Sequence, residues 1–375
     1  MSPTHKFLFF LLLLTSCTQK QQEELALPQI QVNQALETDF NTLIEDIVCI
    51  PLESAKNAHF NGCWKLEEYK DKYYIYSFHD VSVSIFSNEG VFIKQIKGDH
   101  FEDRPSDIYI NEEDDQLWLL KDRKYIAKYT LEGELLSREE LPFIAVDMTN
   151  AGNGEYLFFD GNMDRNAPGY IRLSNGQDTV EDPFFIMKNT TIRQNGYFPF
   201  SLFTENEDRS QIYAMVHYRD TIYSFDTKGD RQMKPFLRLD FDGQMITDSF
   251  FPPEGFSDKA FADLIEKYIH SINGFHYAAG KFFFRTLGPD QAFYILDPDS
   301  HQLMRSATLF DGLATNPYDS PCAGKGDYLY VVLPAEQLCV HYENRQSAFP
   351  PINELIKSLT PSDNNVILKI KIRKI

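Results

Sequence analysis

The feature that most constrains this chain is a recurring turn. Aromatic or β-branched runs are followed by a Gly- or Asp-containing turn that permits positive φ, the signature of a hairpin. Val81–Phe86 and Val91–Ile96 flank Asn88-Glu89-Gly90, and Tyr125–Tyr129 and Glu134–Ser137 flank Glu132-Gly133. Tyr170–Leu173 precedes Asn175-Gly176. Gly90, Gly133 and Gly176 are each 43 residues apart. The equivalent turns at Lys228-Gly229-Asp230 and Pro298-Asp299-Ser300 follow at wider spacing, 53 and 71 residues. A period just above 40 with about four strands per unit describes the blade of a β-propeller. The chain therefore reads as all-β: a six-bladed β-propeller with N- to C-terminal strand closure and short helical insertions.

The blades fall at about 63–97, 105–141, 143–187, 201–241 and 273–309, with the sixth starting at Cys322 and Tyr328–Leu333. The last strand is Val366–Arg373. The early strand Ile47–Leu52 has no other partner, and pairing it with the last strand closes the ring and removes two sheet edges. Helical insertions are expected at about 257–270, where Phe261, Leu264, Ile265, Tyr268 and Ile269 share a face, and at about 350–359. The first helix is expected to pack on the propeller rim.

Ahead of the repeats, Lys6, the apolar run Phe7–Leu14 and Leu14-Thr15-Ser16-Cys17 follow the order of a signal peptide. The run is shorter than the roughly 20 residues that span a bilayer. Residues 1–16 read as the signal, Cys17 as the lipidation site, 17–44 as a polar tether, and 45–375 as the propeller. Acyl chains on Cys17 would anchor the chain to a membrane. The formal charge of −19 argues against nucleic acid as a partner. Cys49, Cys63, Cys322 and Cys339 remain, at irregular spacing and without a C-x-x-C pair, and are read as mostly buried free thiols.

Taken together, L-T-S-C, the opening Ile50-Pro51-Leu52-Glu53, the turn period and the closing strand Val366-Ile367-Leu368-Lys369-Ile370-Lys371 resemble six-bladed β-propeller lipoproteins of Gram-negative gut-type bacteria. These are relatives of NHL-repeat and TolB-like propellers. The resemblance implies the cell envelope, anchored to the outer membrane. Where such proteins often carry a Gly-rich stretch after the first blade, this chain has Gly98-Asp99-His100-Phe101-Glu102-Asp103-Arg104-Pro105.

Charge recurs at the turn between the second and third strands of successive blades: His79 and Asp80, Asp122 and Arg123, Asp164 and Arg165, Arg219 and Asp220, and Arg285 with Asp290. Symmetry would gather these at one mouth of the channel, where they could bind a polar glycan, peptide or envelope protein, or else clip blades together. There is no G-x-S-x-G, H-E-x-x-H, P-loop or calcium-loop pattern, so no catalytic residue, metal ligand or cofactor is assigned. The expected function is a non-enzymatic binding or scaffold module. The alternative is a lactonase-like, metal-dependent propeller hydrolase with carboxylates in the pore.

Overall fold

A computed structural model describes residues 27–374 apart from 56, 99–103, 161–170, 178–183, 185–201, 217, 248–249, 251–257 and 314–320. Six antiparallel meanders stand around a channel, the inner strand of each facing the axis. Blade one holds strands Lys65–Tyr69, Lys72–Ser77, Ser82–Ser87 and Phe92–Lys97. Blade two holds Pro105–Asn111, Gln116–Lys121, Tyr125–Thr130 and Leu135–Glu140. Blade three shows Asp147–Gly152, Glu155–Phe159 and Ile171–Ser174 among the described residues. Blade four holds Phe203–Glu205, Gln211–Met215, Thr221–Asp226 and Met233–Asp240, and blade five Ser271–Ala278, Lys281–Leu287, Phe293–Asp297 and Gln302–Ser306.

Blade six is composite. Its inner strands, Ala323–Lys325 and Tyr328–Leu333, come from the end of the chain, as does Val366–Ile372. Its outer strand is Ile44–Pro51, in register Val366↔Pro51 through Lys371↔Asp46. The expected closure is thus present, and it buries Ile47, Ile50, Ile367, Leu368 and Ile370. The 43-residue turns are conformationally equivalent: Gly90, Gly133 and Gly176 have φ of 84°, 84° and 86°. A Cβ at Gly90 would stand 2.2 Å from the Pro51 carbonyl oxygen, so this turn also seats the closing strand.

The stretch expected to be a tether as far as residue 44 is docked from Gln29 onward. Gln29–Gln31 adds a parallel strand to the outer edge of blade four, and Leu36–Glu37 does the same on blade five. Ile30 and Val32 go into the core beside Leu237 and Leu239. Covering two exposed edges and burying two β-branched side chains outweighs the polar composition that suggested freedom.

The helices differ from expectation in extent. Helix α1 is Asp258–Ile265, and Phe261, Leu264, Ile265 and Tyr268 pack on the core of blades three and four. It stops short of residue 270 because Ile269 bridges Met245 and Ser271 starts blade five. Between the second and third strands of blade six lie α2 (Ala335–Tyr342) and α3 (Pro350–Ile356). No described helix is long and apolar enough to cross a membrane.

Candidate functional site

In a four-stranded meander the first and third turns lie at one end of the sheet and the second turn at the other. The charged turns singled out in the sequence are second turns. Asp80 accepts hydrogen bonds from the Asn61 amide, from Asn61 Nδ2 at 3.1 Å and from the Ser77 hydroxyl at 3.0 Å. His79 lies edge-on to Phe78. Asp122 and Arg123 form a turn with φ of 47° and 61°. Asp220 pairs with Arg238 Nε at 2.8 Å and Asp290 with Arg305 Nη2 at 2.5 Å. Arg219 donates to the Tyr223 hydroxyl at 3.3 Å, and buried Arg285 stacks over Phe293 and donates to Gln291 at 3.0 Å. These contacts of Asp220, Arg219, Asp290 and Arg285 stay within one blade. Asp164, Arg165 and Cys17 lie outside the described residues.

None of the described ones lines the cavity in the channel. That cavity, about 550 Å³, is the channel at the opposite end, walled by the inner strands and their first turns. Strand alternation accounts for part of its lining: Lys65, Glu67 and Tyr69 share a face, and the lining residues Tyr109 and Thr149 share faces with the buried Asp107 and Asp147. In blade five the register shifts between Asn273 and His276, a bulge that brings His276 to the channel.

The floor is a closed circuit. Lys65 Nζ donates to Asp107 Oδ1 at 2.9 Å and Oδ2 at 3.1 Å and stands 3.8 Å from Asp147 Oδ1. The Met148 amide donates to Asp107 at 3.0 Å, and the Leu202 amide to Asp147 at 2.9 Å. The Tyr277 amide donates to the Thr204 hydroxyl at 2.8 Å. His276 Nε2 donates to the Pro321 carbonyl at 2.9 Å, and the Leu66 amide to the Cys322 carbonyl at 3.2 Å. Each of the six blade-to-blade junctions is therefore stitched at the channel wall.

Burial sets the protonation of this floor. Asp107 is held well above the usual carboxylate range, first by burial and then by Asp147, against the pull of Lys65. Burial opposes the charge on Lys65, but Asp107, Asp147 and Glu67 outweigh it and raise its pKa. Burial lowers His276 to about 4, so it is neutral at pH 7.

Above the floor the groups are less self-contained. Thr149 donates to Glu205, and Arg209 bridges Glu205 at 3.2 Å and Glu112 at 2.6 Å. Lys325 reaches Glu112 at 3.6 Å, and Tyr69, Tyr109 and Tyr277 complete the wall. Glu67 makes no hydrogen bond to a described residue. Its carboxyl is raised, first by burial and also by Glu205, against Lys65, Lys325 and Arg209. The lining carries six carboxylates, Glu67, Glu68, Glu112, Glu205, Glu207 and Asp208, against Lys65, Arg209 and Lys325. Among the described residues no group of three or more His, Cys, Asp or Glu is placed to hold a metal ion.

The sequence reading missed this lining. The available signal was spacing: Lys65, Asp107 and Asp147 recur at 42 and 40 residues, close to the turn period.

A solved structure of a Bacteroides fragilis NCTC 9343 protein, named for its inferred export, superposes with a TM-score of 0.72 at 16% identity, covering 92% of this chain and 99% of that one. This likeness shows the fold. A member of the DUF4221 family from Bacteroides vulgatus ATCC 8482 is similar at a TM-score of 0.45 and 9% identity, over 88% of this chain and 97% of the other. Virginiamycin B lyase from Staphylococcus aureus is similar at 0.44 and 12%, over 87% and 99%. Curated proteins give no sequence match. Residues 27–371, from the docked N-terminal strand to the closing strand, match the family described as a domain of unknown function, DUF4934, and the chain belongs to that family.

Proposed function

We propose that this is an exported, lipid-anchored protein of the outer membrane that binds a polar peptide segment through a cationic group, in the channel mouth, and releases it unaltered. Export is supported by the charged, apolar and L-T-S-C order of the N-terminus and by the name of the similar Bacteroides fragilis protein. Cys17 is the proposed point of lipidation.

The observation that carries the binding reading is Glu67. The floor carboxyls below it are satisfied by Lys65 and backbone amides, whereas Glu67 faces the cavity with no hydrogen-bonding partner among the described residues. Leaving a carboxylate in a partly dehydrated site is costly, and a ligand ammonium or guanidinium relieves that cost. The carboxylate excess draws such a ligand in, and the wall tyrosines offer stacking surface. The charged second turns are assigned to intramolecular pairing.

Isothermal titration calorimetry with tetralysine, tetraglutamate and a neutral chitotetraose tests this. Tetralysine is expected to bind, more weakly as salt rises, and to be recovered intact by mass spectrometry. Binding of tetraglutamate or chitotetraose in preference to tetralysine, or cleavage of the peptide, overturns the reading.

A further inference from the structure

Two of the four remaining cysteines flank the junction of blade six with blade one. Cys63 stands just before the inner strand of blade one, and Cys322 just before the inner strand of blade six. Both are buried, at 5% and 2% exposure, in one apolar cluster with Phe60, Leu66, Tyr330 and Ile367. The backbones are already joined there: the Leu66 amide donates to the Cys322 carbonyl at 3.2 Å. Burial, and after it the neighbouring Cys322 thiol, raises the Cys63 thiol, and Cys322 Sγ faces the Tyr330 carbonyl at 3.5 Å. Cys49 and Cys339 differ. They lie on the outer strand of blade six and on α2, and the charged groups that act on their thiols are Asp46 and Asp363.

We infer that Cys63 and Cys322 are a disulfide-forming pair that staples blade six to blade one after export. The pair rests on the export proposed above, because the envelope supplies the oxidant, a thiol oxidoreductase carrying a disulfide. The step balances by thiol–disulfide exchange. The Cys63 thiolate attacks one sulfur of the oxidant's disulfide, forming a mixed disulfide and releasing one oxidant thiolate. The Cys322 thiolate then attacks Cys63 Sγ, forming the Cys63–Cys322 bond and releasing the second oxidant thiolate. The two protein thiols lose two electrons, the oxidant's disulfide gains them, and the two thiol protons pass to the departing thiolates. Burial holds both sulfurs out of reach of an enzyme in the closed ring, so the exchange belongs to folding, before the seam is shut.

The position gives the bond leverage. The two residues are 259 apart, so the cross-link removes the freedom of a very long loop in the unfolded chain. It also ties blade one directly to the C-terminal strands of blade six, which the chain joins to it only the long way round and which are held to the N-terminal outer strand Ile44–Pro51 by strand pairing.

The test is differential alkylation with peptide mass spectrometry on membrane-fraction protein from acid-quenched cells. The expected result is a Cys63–Cys322 cross-linked peptide, with Cys49 and Cys339 alkylated. Cys63 and Cys322 both alkylated in that fraction overturns the staple. Protein recovered in the cytosolic fraction overturns the export reading instead. Refolding purified full chain in a glutathione redox buffer then decides the staple by itself: the same cross-link supports it, and mixed or absent pairing overturns it. Oxidised protein is expected to melt about 5 °C or more above the reduced form, a difference lost in Cys63→Ala and kept in Cys49→Ala. An equal melting temperature for both redox forms of a cross-linked protein counts against a stapling role.

Discussion

At the channel floor one lysine serves two carboxyls. Lys65 is the cation nearest Asp107 and Asp147, and its side chain is only 14% exposed. Removing it leaves a buried carboxyl pair without its counter-charge, a change that typically costs about 3 kcal/mol or more. Lys65→Met is therefore expected to lower the urea midpoint, and adding Asp107→Asn to recover part of the loss. A single variant as stable as the parent would show that the circuit is not a stitch. His276 gives the floor a pH signature. Folded, it stays neutral down to about pH 4, whereas the unfolded chain takes up a proton near pH 6.5. Its contribution is thus complete above pH 6.5 and drains away as the pH falls towards 4. Between pH 7.5 and 5 the loss amounts to about 2 kcal/mol. Unfolding measured at those two pH values is expected to show this drop in the parent and less of it in His276→Asn.

The elements were legible where a local rule governed them. Hairpin turns demand positive φ, so Gly90, Gly133 and Gly176 announced themselves at 43-residue spacing and take the same φ in the structure. Closure followed from counting sheet edges, and Ile44–Pro51 does pair with Val366–Ile372. Docking of Ile30 and Val32 was hidden because a six-residue patch of alternating polar and apolar residues satisfies no period long enough to read. The channel lining was hidden for a different reason. Lys65-Leu66-Glu67-Glu68-Tyr69 puts Lys65, Glu67 and Tyr69 on one face of a strand, and so polar a face is normally assigned to solvent. Only a closed ring turns that face inward, where charge becomes a site. The charged second turns stood out in sequence because turns are polar, yet their partners are largely local. Closure is tested by deleting residues 364–375. The outer strand of blade six then loses its partner, and the whole propeller is expected to lose cooperative unfolding. An unchanged midpoint would place the closure elsewhere.

At the scale of the whole molecule, the docked N-terminus ties the proposed anchor to the shape. Between Cys17 and Gln29 the chain can extend at most about 40 Å, and Gln29 lies on the outer edge of blade four. An anchor at Cys17 would therefore hold the rim of blade four near the membrane. Cys17→Ala is expected to abolish acyl labelling and release the protein from membranes; labelled, membrane-bound Cys17→Ala protein would remove the anchor. The propeller has two ends, and the proposed binding site is the one opened by the first turns of the blades. The decisive comparison is the affinity for tetralysine of Glu67→Gln, inside that mouth, against Asp122→Asn, at the opposite end. Loss of one charge-assisted hydrogen bond predicts a dissociation constant about tenfold weaker for Glu67→Gln and within about twofold of the parent for Asp122→Asn. The reverse order, or no change in either, would contradict a binding site at this mouth.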